Sequence, residues 1–372
     1  MKNIGFIDSS RLITESLVRA GADVFVGYPI TPANLLYLYA GKRFPQFIAA
    51  PDEITTLQLM SGLAAAGKIP VTATSFPGFA LMIESINMAY MMELPMVIVF
   101  VQRLGPATGT ATVGAQGDVS IVNGVISGGL ALPTMSISNT SDCWTLPAKA
   151  VEMAVTMRTP VVIFTSKEEV MTQHSVNLGE ISGIKKVERT IYNSKEKYIP
   201  YRPDKDLVPE FLPLTSNEHQ IRLTASTHDQ MGIIQNTSDE ALENTLRLHK
   251  KVLHNMEKFT FYNYDADPGA ETILLSFGIS SLASATAVKT LRARGEKISL
   301  LLAKSLLPVP QKYYEILHKY KHIFVAEENL TGQYRQLLFG SKLPDHIHGI
   351  NKLGKMIEPS EIISKIQSST QQ

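Results

Sequence analysis

The feature that most constrains the fold of this chain is an alternation of short apolar runs with segments of helical periodicity. The run from Met96 to Val101 is apolar at every position, which is typical of a central parallel strand buried on both faces. Shorter runs at residues 24–26, 46–50 and 70–75 are each followed by a segment that favours a helix. This alternation predicts a doubly wound parallel sheet with helices packed on its faces.

The alternation stops near residue 166 and resumes near residue 239, so we predict two α/β domains of the doubly wound parallel-sheet type. We place the first domain at residues 1–166, a connecting segment at 167–238 and a second, smaller domain at 239–372. Polar turns and aromatic–proline clusters in the connecting segment favour a path over a surface rather than a third domain. In the second domain the pattern predicts a charged amphipathic helix at residues 239–258 and strands at 272–277, 297–302 and 322–326.

Composition excludes several classes of partner. The 372 residues are 44% apolar, the formal net charge is +1, and no basic block of five or six residues occurs, so nucleic acid and anionic membranes are poor candidates. The apolar run from Pro95 to Val101 is too short to span a bilayer. Residues 1–4 lack the apolar core of a signal peptide, so we expect a cytoplasmic protein. The single cysteine, Cys143, excludes an internal disulfide and an iron–sulfur cluster held by this chain alone.

The stretch Gly27-Tyr28-Pro29-Ile30-Thr31-Pro32 joins the first of these predicted strands to a helix. Pro29 fixes the backbone on one side of Ile30, and Pro32 is expected to be the first helical residue, where a missing N–H has no cost. Thr31 then holds its hydroxyl at the carboxyl end of a strand, where parallel α/β sheets bind ligands. The alternative is a plain strand-to-helix connection in which Thr31 caps the helix.

Three further polar residues, Glu53, Ser75 and Arg103, directly follow predicted strands of the first domain. Because the carboxyl ends of parallel strands lie at one edge, we expect these residues to converge with Thr31 on a single crevice. Glu53 falls near a helix start, where the helix dipole favours a carboxylate. Arg103 ends a wholly apolar strand and offers a planar fork for the carboxylate of a ligand.

Plainer interpretations of these residues remain open. Glu53 is also typical of a first-turn residue on a solvated helix face, and Arg103 could form a salt bridge with Asp118 or Glu93. The chain has no G-x-G-x-x-G and no G-x-x-x-x-G-K-[ST] motif, so dinucleotide and P-loop phosphate sites lack support. No pair of histidines stands at metal-ligand spacing on a predicted helix, and we predict no metal site in this chain.

A series of short motifs extends along the whole chain. In order, they lie at residues 28–32 (Tyr-Pro-Ile-Thr-Pro), 52–53, 72–82, 94–99, 102–109, 116–118, 201–203, 227–229 and 306–310. Together they resemble the alpha subunit of the 2-oxoacid:ferredoxin oxidoreductase family, with most likeness to the 2-oxoglutarate type. The combined series is highly specific, although no single motif is.

The resemblance implies a thiamine diphosphate enzyme whose cofactor site is divided between two chains of a hetero-oligomer. This chain would supply the domain that holds the aminopyrimidine ring, followed by a transketolase C-terminal-like domain. A beta subunit would supply the diphosphate and Mg²⁺ site together with an iron–sulfur cluster. The implied reaction is the oxidative decarboxylation of a 2-oxo acid to acyl-coenzyme A and CO₂, with electrons passed to ferredoxin.

The resemblance also implies roles for the residues at the crevice. Glu53 matches the family carboxylate that bonds N1′ of the aminopyrimidine and so promotes loss of the thiazolium proton. Arg103 matches the position that binds the carboxylate of the 2-oxo acid, and Thr31 is expected to hydrogen-bond the same group or the keto oxygen. The expected cofactor contacts are Tyr28, Pro29, Glu53 and Ser75.

Several positions depart from the family pattern. Ala33 and Asn34 replace two serines, Phe76 replaces a glycine, and Leu104 replaces a glycine beside the arginine. Because most of these positions border the expected pocket, pyruvate or a branched-chain 2-oxo acid remains an alternative substrate. A non-catalytic scaffold subunit with the same fold is a further alternative, and the retention of Glu53 and Arg103 argues against it.

Overall fold

In the computed structural model, which describes residues 4–179 and 181–370, strands and helices alternate in both halves of the chain. The first half contains β1 (Ile4–Asp8), α1 (Ser9–Ala20), β2 (Val24–Gly27), α2 (Asn34–Arg43), β3 (Gln46–Ala49), α3 (Glu53–Ala65), β4 (Pro70–Thr74), α4 (Phe76–Met91), β5 (Met96–Gln102), α5 (Val119–Asn123), β6 (Thr134–Ser136), α6 (Asp142–Met157), β7 (Pro160–Ser166), α7 (Lys167–Met171) and β8 (Gln173–Asn177). The second half contains α8 (Asp239–Asn255), β9 (Tyr262–Asp265), β10 (Thr272–Phe277), α9 (Ser281–Ala293), β11 (Ile298–Ala303), β12 (Ser305–Leu307), α10 (Gln311–Leu317), β13 (His322–Glu327), α11 (Gln333–Phe339), β14 (Ile347–Asn351) and α12 (Pro359–Thr370). Across the described ranges, every helix is too short or too polar to cross a membrane.

The first sheet, counted over the described residues, has seven strands in the order β12-β6-β7-β5-β4-β2-β3. All neighbouring strands run parallel except β12, which is antiparallel to β6. β5 lies in the middle of this sheet and is buried at every position, as its unbroken apolar run predicts. The predicted α/β fold with a mainly parallel sheet is therefore confirmed for this half.

The second sheet comprises five strands among the described residues, in the order β14-β13-β10-β11-β9. It is parallel except for its edge strand β9, which is antiparallel to β11. The predicted helix at residue 239 and the three predicted strands of this half correspond to α8, β10, β11 and β13. The second parallel-sheet domain is therefore also confirmed.

The two halves are joined more closely than the sequence predicts. β12 follows the second sheet in the chain, yet it pairs with β6 and completes the edge of the first sheet. The connecting segment begins with α7 and β8, and β8 pairs with β1 in an antiparallel ribbon. The boundaries at residues 166 and 238 stay a prediction, but both the connection and the second half contribute strands to the first half.

The turn after β2 differs from the prediction that Pro32 is the first helical residue. α2 begins at Asn34, Ala33 occupies the N-cap position, and the peptide bond between Thr31 and Pro32 is cis. Proline fixes φ at a value that suits a turn as well as a helix start, so the sequence could not distinguish the two. Thr31 therefore lies in an irregular turn at the end of β2 and does not cap the helix.

Candidate functional site

The carboxyl ends of β2, β4 and β5 lie side by side, because these strands are parallel neighbours in the first sheet. Their order places the end of β4 between the ends of the other two. Thr31, Ser75 and Arg103 follow these three strands, and Glu53 begins the helix after β3, the next strand outward. Open α/β sheets bind ligands at this edge.

Arg103 is buried, with 6% of its surface exposed, and it contacts the turn that contains Thr31. One terminal nitrogen of its guanidinium donates a hydrogen bond to the backbone carbonyl of Thr31. Since β4 lies between β2 and β5, this bond crosses over the end of β4. The structure thus brings Arg103 and Thr31 together as the sequence predicts, although the Thr31 carbonyl rather than its hydroxyl makes the contact.

The guanidinium of Arg103 has no ion pair within the described part of the chain. Its Nε is buried and lacks a hydrogen-bond partner there, and burial lowers the pKa of Arg103, against the effect of the Asp118 charge. The alternative of a salt bridge to Asp118 or Glu93 is wrong, because Glu93 pairs instead with Arg247 and Lys251. A buried cation without an internal counter-charge is costly and indicates that an anion binds here.

Asp118 is the nearby acidic group that sequence reasoning considered only as a salt-bridge partner. It precedes α5 and is 6% exposed, and its Oδ2 accepts a hydrogen bond of 3.3 Å from the side chain of Gln102. Burial raises the pKa of Asp118 to about 7, although the Gln102 hydrogen bond and the charge of Arg103 oppose the shift. This carboxyl therefore changes its charge near neutral pH close to Arg103.

Glu53 is the first residue of α3 and is 8% exposed, so its interpretation as a solvated first-turn residue is wrong. The helix starts here because the side chain of Asp52 accepts a hydrogen bond of 2.7 Å from the amide of Thr55. The Glu53 side chain lies against Gly78 in the first turn of α4, where an added Cβ would lie 2.6 Å from Oε1 of Glu53. Only a residue without a side chain leaves this space for the carboxylate.

Ser75 occupies the N-cap position of α4 and is fully buried, yet its hydroxyl caps nothing. Its Oγ has no hydrogen-bond partner within residues 4–179 and 181–370. Buried polar atoms in native proteins are nearly always paired. Ser75 and Arg103 therefore both leave a buried polar atom unsatisfied at the same edge of the sheet, which fits a site that a bound group completes.

Tyr28 and Pro29 lie apart from the buried residues of the site. Both are exposed, and 41% of the Tyr28 surface is accessible to solvent. No hydrogen bond or ring contact described here joins Tyr28 to Glu53 or Arg103. Their role as cofactor contacts stays a prediction. The structure supports one pair formed by Thr31 and Arg103 and one formed by Glu53 with the start of α4, and it shows no direct contact between the two pairs.

The groups at this edge fit part of a thiamine diphosphate site rather than a metal site. Over the described residues, no three His, Cys, Asp or Glu side chains lie close enough together to hold a metal ion. A buried carboxylate beside a glycine cradle and an unpaired hydroxyl can bind the polar edge of a heteroaromatic ring. Sequence reasoning missed Gly78 as part of this cradle, and the only available signal was a glycine in the first turn of a predicted helix.

Three comparisons place the chain among known proteins. The family model described as pyruvate flavodoxin/ferredoxin oxidoreductase, thiamine diphosphate-binding, matches residues 15–248. The 2-oxoglutarate synthase subunit KorA of Methanothermobacter marburgensis is 28% identical, and the match covers 97% of this chain and 98% of that protein. The ketoisovalerate oxidoreductase subunit VorB of Methanothermobacter thermautotrophicus is 29% identical, with 94% and 93% covered.

A solved structure has the same fold as this chain. It is the 2-oxoglutarate:ferredoxin oxidoreductase from Magnetococcus marinus with 2-oxoglutarate, coenzyme A and succinyl-CoA bound, and it superposes with a TM-score of 0.93 at 23% identity. The match covers 99% of the present chain, which spans 65% of the length of that solved chain. The agreement extends over both sheets and the connection between them.

Proposed function

Because the chain belongs to the thiamine diphosphate-binding family of pyruvate flavodoxin/ferredoxin oxidoreductases, we propose that it is the alpha subunit of a 2-oxoacid:ferredoxin oxidoreductase that acts on 2-oxoglutarate. The resemblance drawn from the sequence is thus confirmed at the level of the family. The KorA relatives support 2-oxoglutarate, since they match over almost their whole length. The products would be succinyl-coenzyme A and CO₂, and the electrons would pass to ferredoxin.

The observation that carries this proposal is the buried guanidinium of Arg103, which lacks a carboxylate partner in the described chain. A 2-oxo acid brings such a carboxylate, and a planar guanidinium binds it through two parallel hydrogen bonds. The bond from Arg103 to the Thr31 carbonyl orients the guanidinium at the edge of the sheet. We assign Arg103 to the substrate carboxylate and the Thr31 hydroxyl to the same carboxylate or the keto oxygen.

Glu53 is assigned to the aminopyrimidine ring of the cofactor, together with Ser75, Tyr28 and Pro29. When bound, thiamine diphosphate would supply the acidic ring carbon needed to cleave the bond between a carboxylate and a keto carbon. The contribution of Glu53 is to accept and hold a proton of the pyrimidine at a position that its cradle at Gly78 fixes. Its burial removes competing water from that carboxylate.

The remaining parts of the cofactor system are assigned to a beta subunit. An iron–sulfur cluster needs several cysteine thiolates, and this chain has one cysteine. We therefore place the cluster in the partner chain, together with Mg²⁺ and the diphosphate site. Coenzyme A and ferredoxin would act on the assembled complex, which we place in the cytoplasm.

A branched-chain 2-oxo acid is the second candidate substrate. Ile30, Phe76 and Leu104 are half-buried apolar side chains that directly adjoin Thr31, Ser75 and Arg103 in sequence. An apolar lining favours an aliphatic substrate tail over the second carboxylate of 2-oxoglutarate. The VorB relatives, named ketoisovalerate oxidoreductase subunits, agree with this alternative.

The test is to purify the complex of this chain with its partner subunits and to measure acceptor reduction with a panel of 2-oxo acids. The proposal expects coenzyme A-dependent turnover with the highest kcat/KM for 2-oxoglutarate. A preference for 2-oxoisovalerate over 2-oxoglutarate would support the second candidate. Absence of turnover with every acid, in a complex that binds thiamine diphosphate, would contradict the enzymatic proposal and favour a scaffold subunit.

A further inference from the structure

The second sheet has its own crevice for a ligand at the carboxyl ends of its strands. In the order β14-β13-β10-β11-β9, the chain goes from β10 to β11 on one side and later from β13 to β14 on the other. The connections therefore reverse direction between β10 and β13. Open α/β sheets bind their ligands at this kind of switch point.

This crevice is filled by a side chain from the first half, that of Gln116, which is fully buried. Its Nε2 donates to the carbonyl of Phe277 at 2.7 Å, and its Oε1 accepts from the hydroxyl of Ser280 and from the amide of Glu328. Its backbone donates to the Glu328 carbonyl and accepts from the side chain of Asn329. The Gln116 amide thus occupies the place of a ligand between β10 and β13.

The geometry next to Gln116 is adapted to this insertion. Gly278 has a φ of +54°, and an added Cβ would lie 2.9 Å from Nε2 of Gln116 and 3.1 Å from Oγ of Ser136. A side chain at this position would therefore collide with the amide as well as strain the backbone. The second half leaves a space of the right size for the glutamine.

Gln116 belongs to the loop that joins Arg103 to α5. On the crevice side, Gln333 of α11 donates to the carbonyl of Gly117 at 2.8 Å. The next residue is Asp118, whose carboxyl accepts from Gln102, the neighbour of Arg103. One end of the loop is thus fixed by β5 and the other by the second sheet, while residues 105–110 between them are exposed.

We propose that Gln116 is a positioning residue, and that by filling the crevice of the second sheet it fixes the loop that holds Arg103 and Asp118. The second domain thereby sets the affinity of the first-domain site for the carboxylate of the 2-oxo acid. This step rests on the proposed function of Arg103. The role of the second domain is then to hold a substrate-binding loop, and its own ligand crevice is occupied by the chain itself.

The experiment compares complexes assembled with the wild-type chain and with Gln116→Ala, Gln116→Glu and Ser280→Ala chains. Gln116→Glu keeps the shape of the side chain but cannot donate to the Phe277 carbonyl. Ser280→Ala removes a single donor to the Gln116 amide. The matched control is Gln336→Ala, because the Gln336 side chain bonds only to the Thr331 backbone within the second half.

The first measurement is hydrogen exchange of the amides of residues 104–115, which needs no turnover. We expect exchange to be about tenfold faster in both Gln116 variants and about twofold faster in Ser280→Ala, since each lost hydrogen bond contributes about 1 kcal/mol. Gln336→Ala should match the wild type. If Gln116→Ala does not assemble, Gln116→Glu and Ser280→Ala decide the outcome, and unchanged exchange in them would overturn the proposal.

The second measurement is the kinetics with the preferred 2-oxo acid. We expect KM to rise about tenfold in Gln116→Glu with kcat within about threefold, because binding of the carboxylate is lost before chemistry is affected. Faster exchange with an unchanged KM would overturn the link to the site. If the wild-type complex turns over no 2-oxo acid, the proposed function fails, while the exchange data still decide whether Gln116 holds the loop.

Discussion

The two ends of β5 treat a buried charge in opposite ways. Glu93 precedes the strand and is fully buried, and its carboxylate pairs with Arg247 and with Lys251 at 2.6 Å. Arg103 follows the strand and is also buried, yet no carboxylate of the described chain pairs with it. Where a buried charge serves the fold, the chain supplies the counter-charge itself. At the other end the counter-charge must come from a bound molecule.

The pKa of Glu93 reflects the completeness of its partners. Burial by itself would raise this pKa, but the charges of Lys251 and Arg247 and the hydrogen bonds from Arg247 outweigh it and lower the pKa to about 2. Arg158 adds a further cation, and its Nε donates to the Glu93 carbonyl at 3.4 Å. This cluster joins the end of α4 to α8 and is a structural contact between the two halves.

If the functional end of β5 depends on Glu53 as well, its loss should have the largest effect on turnover. Glu53→Gln keeps the side-chain shape and removes the proton acceptor, so kcat of the assembled complex should fall by about 10⁴-fold. The measurement is 2-oxo acid-dependent reduction of an electron acceptor. Glu243→Gln, on the exposed face of α8, is the control and should keep normal turnover. Turnover of Glu53→Gln near the wild-type rate would reject the role of this carboxylate.

At the structural end, Glu93→Gln should destabilise the fold and leave KM unchanged. Removing the carboxylate leaves buried cations unpaired, which lowers the free energy of unfolding by about 3–5 kcal/mol. Urea unfolding of the purified chain measures this loss. The control is Glu152→Gln, which breaks an exposed ion pair with Lys149 and should cost less than about 1 kcal/mol. Equal losses in the two variants would contradict the comparison.

The stability from Glu93 should also depend on pH in a defined window. Because its pKa in the folded chain is about 2, below the ordinary 4.5, the carboxylate contributes fully above about pH 4.5. The contribution is lost as the pH falls through 4.5 toward 2. The difference in stability between the wild type and Glu93→Gln should therefore be large at pH 7 and smaller at pH 3. A difference that grows toward pH 3 would have the wrong sign.

Arg103→Ala tests the functional end directly and should weaken substrate binding by about 2–4 kcal/mol, the cost of losing a charged bidentate pair. KM for the 2-oxo acid should rise far more than the stability changes, since no internal partner of Arg103 is left unpaired. Arg103→Lys should restore only part of the affinity, because an ammonium lacks the fork. Arg294→Ala, at an exposed site, is the control. An unchanged KM in Arg103→Ala would remove the main support for the proposed function.

The smallest expected effect concerns Asp118. Its pKa of about 7 means that the carboxyl becomes charged between pH 6 and pH 8, where it attracts the Arg103 guanidinium and repels a substrate carboxylate. KM should therefore rise by about threefold over this range. Asp118→Asn should give a flatter KM profile, measured on the assembled complex. Parallel profiles for the two proteins would show that Asp118 does not affect the site.

The comparison also shows what the sequence could predict. The buried strand β5 and the polar residues at its edge follow from local patterns, so the parallel sheet and the positions of Thr31, Glu53, Ser75 and Arg103 at one edge were predictable. α8 was predicted as a helix, but its charged residues Arg247 and Lys251 do not face solvent. They pack against Glu93, more than 150 residues earlier in the chain, and no local pattern contains such a pairing.

The same limit explains the other differences. The start of α2 depends on the backbone of a turn with two prolines, and the sequence allows both a turn and a helix there. The pairing of β12 with β6 and the insertion of Gln116 into the second sheet join segments that are far apart in the chain. The role of Gly78 appears only when the helix that contains it is packed against Glu53.

The central claim is that the unsatisfied groups at the edge of the first sheet form half of a thiamine diphosphate site. The most direct measurement is calorimetric titration of thiamine diphosphate, with Mg²⁺, into the purified chain and into the complex with its partner subunits. The account predicts binding at about 1 µM or tighter only for the complex, and weaker binding when it contains Glu53→Gln. Binding of the same strength to the isolated chain would contradict the divided site.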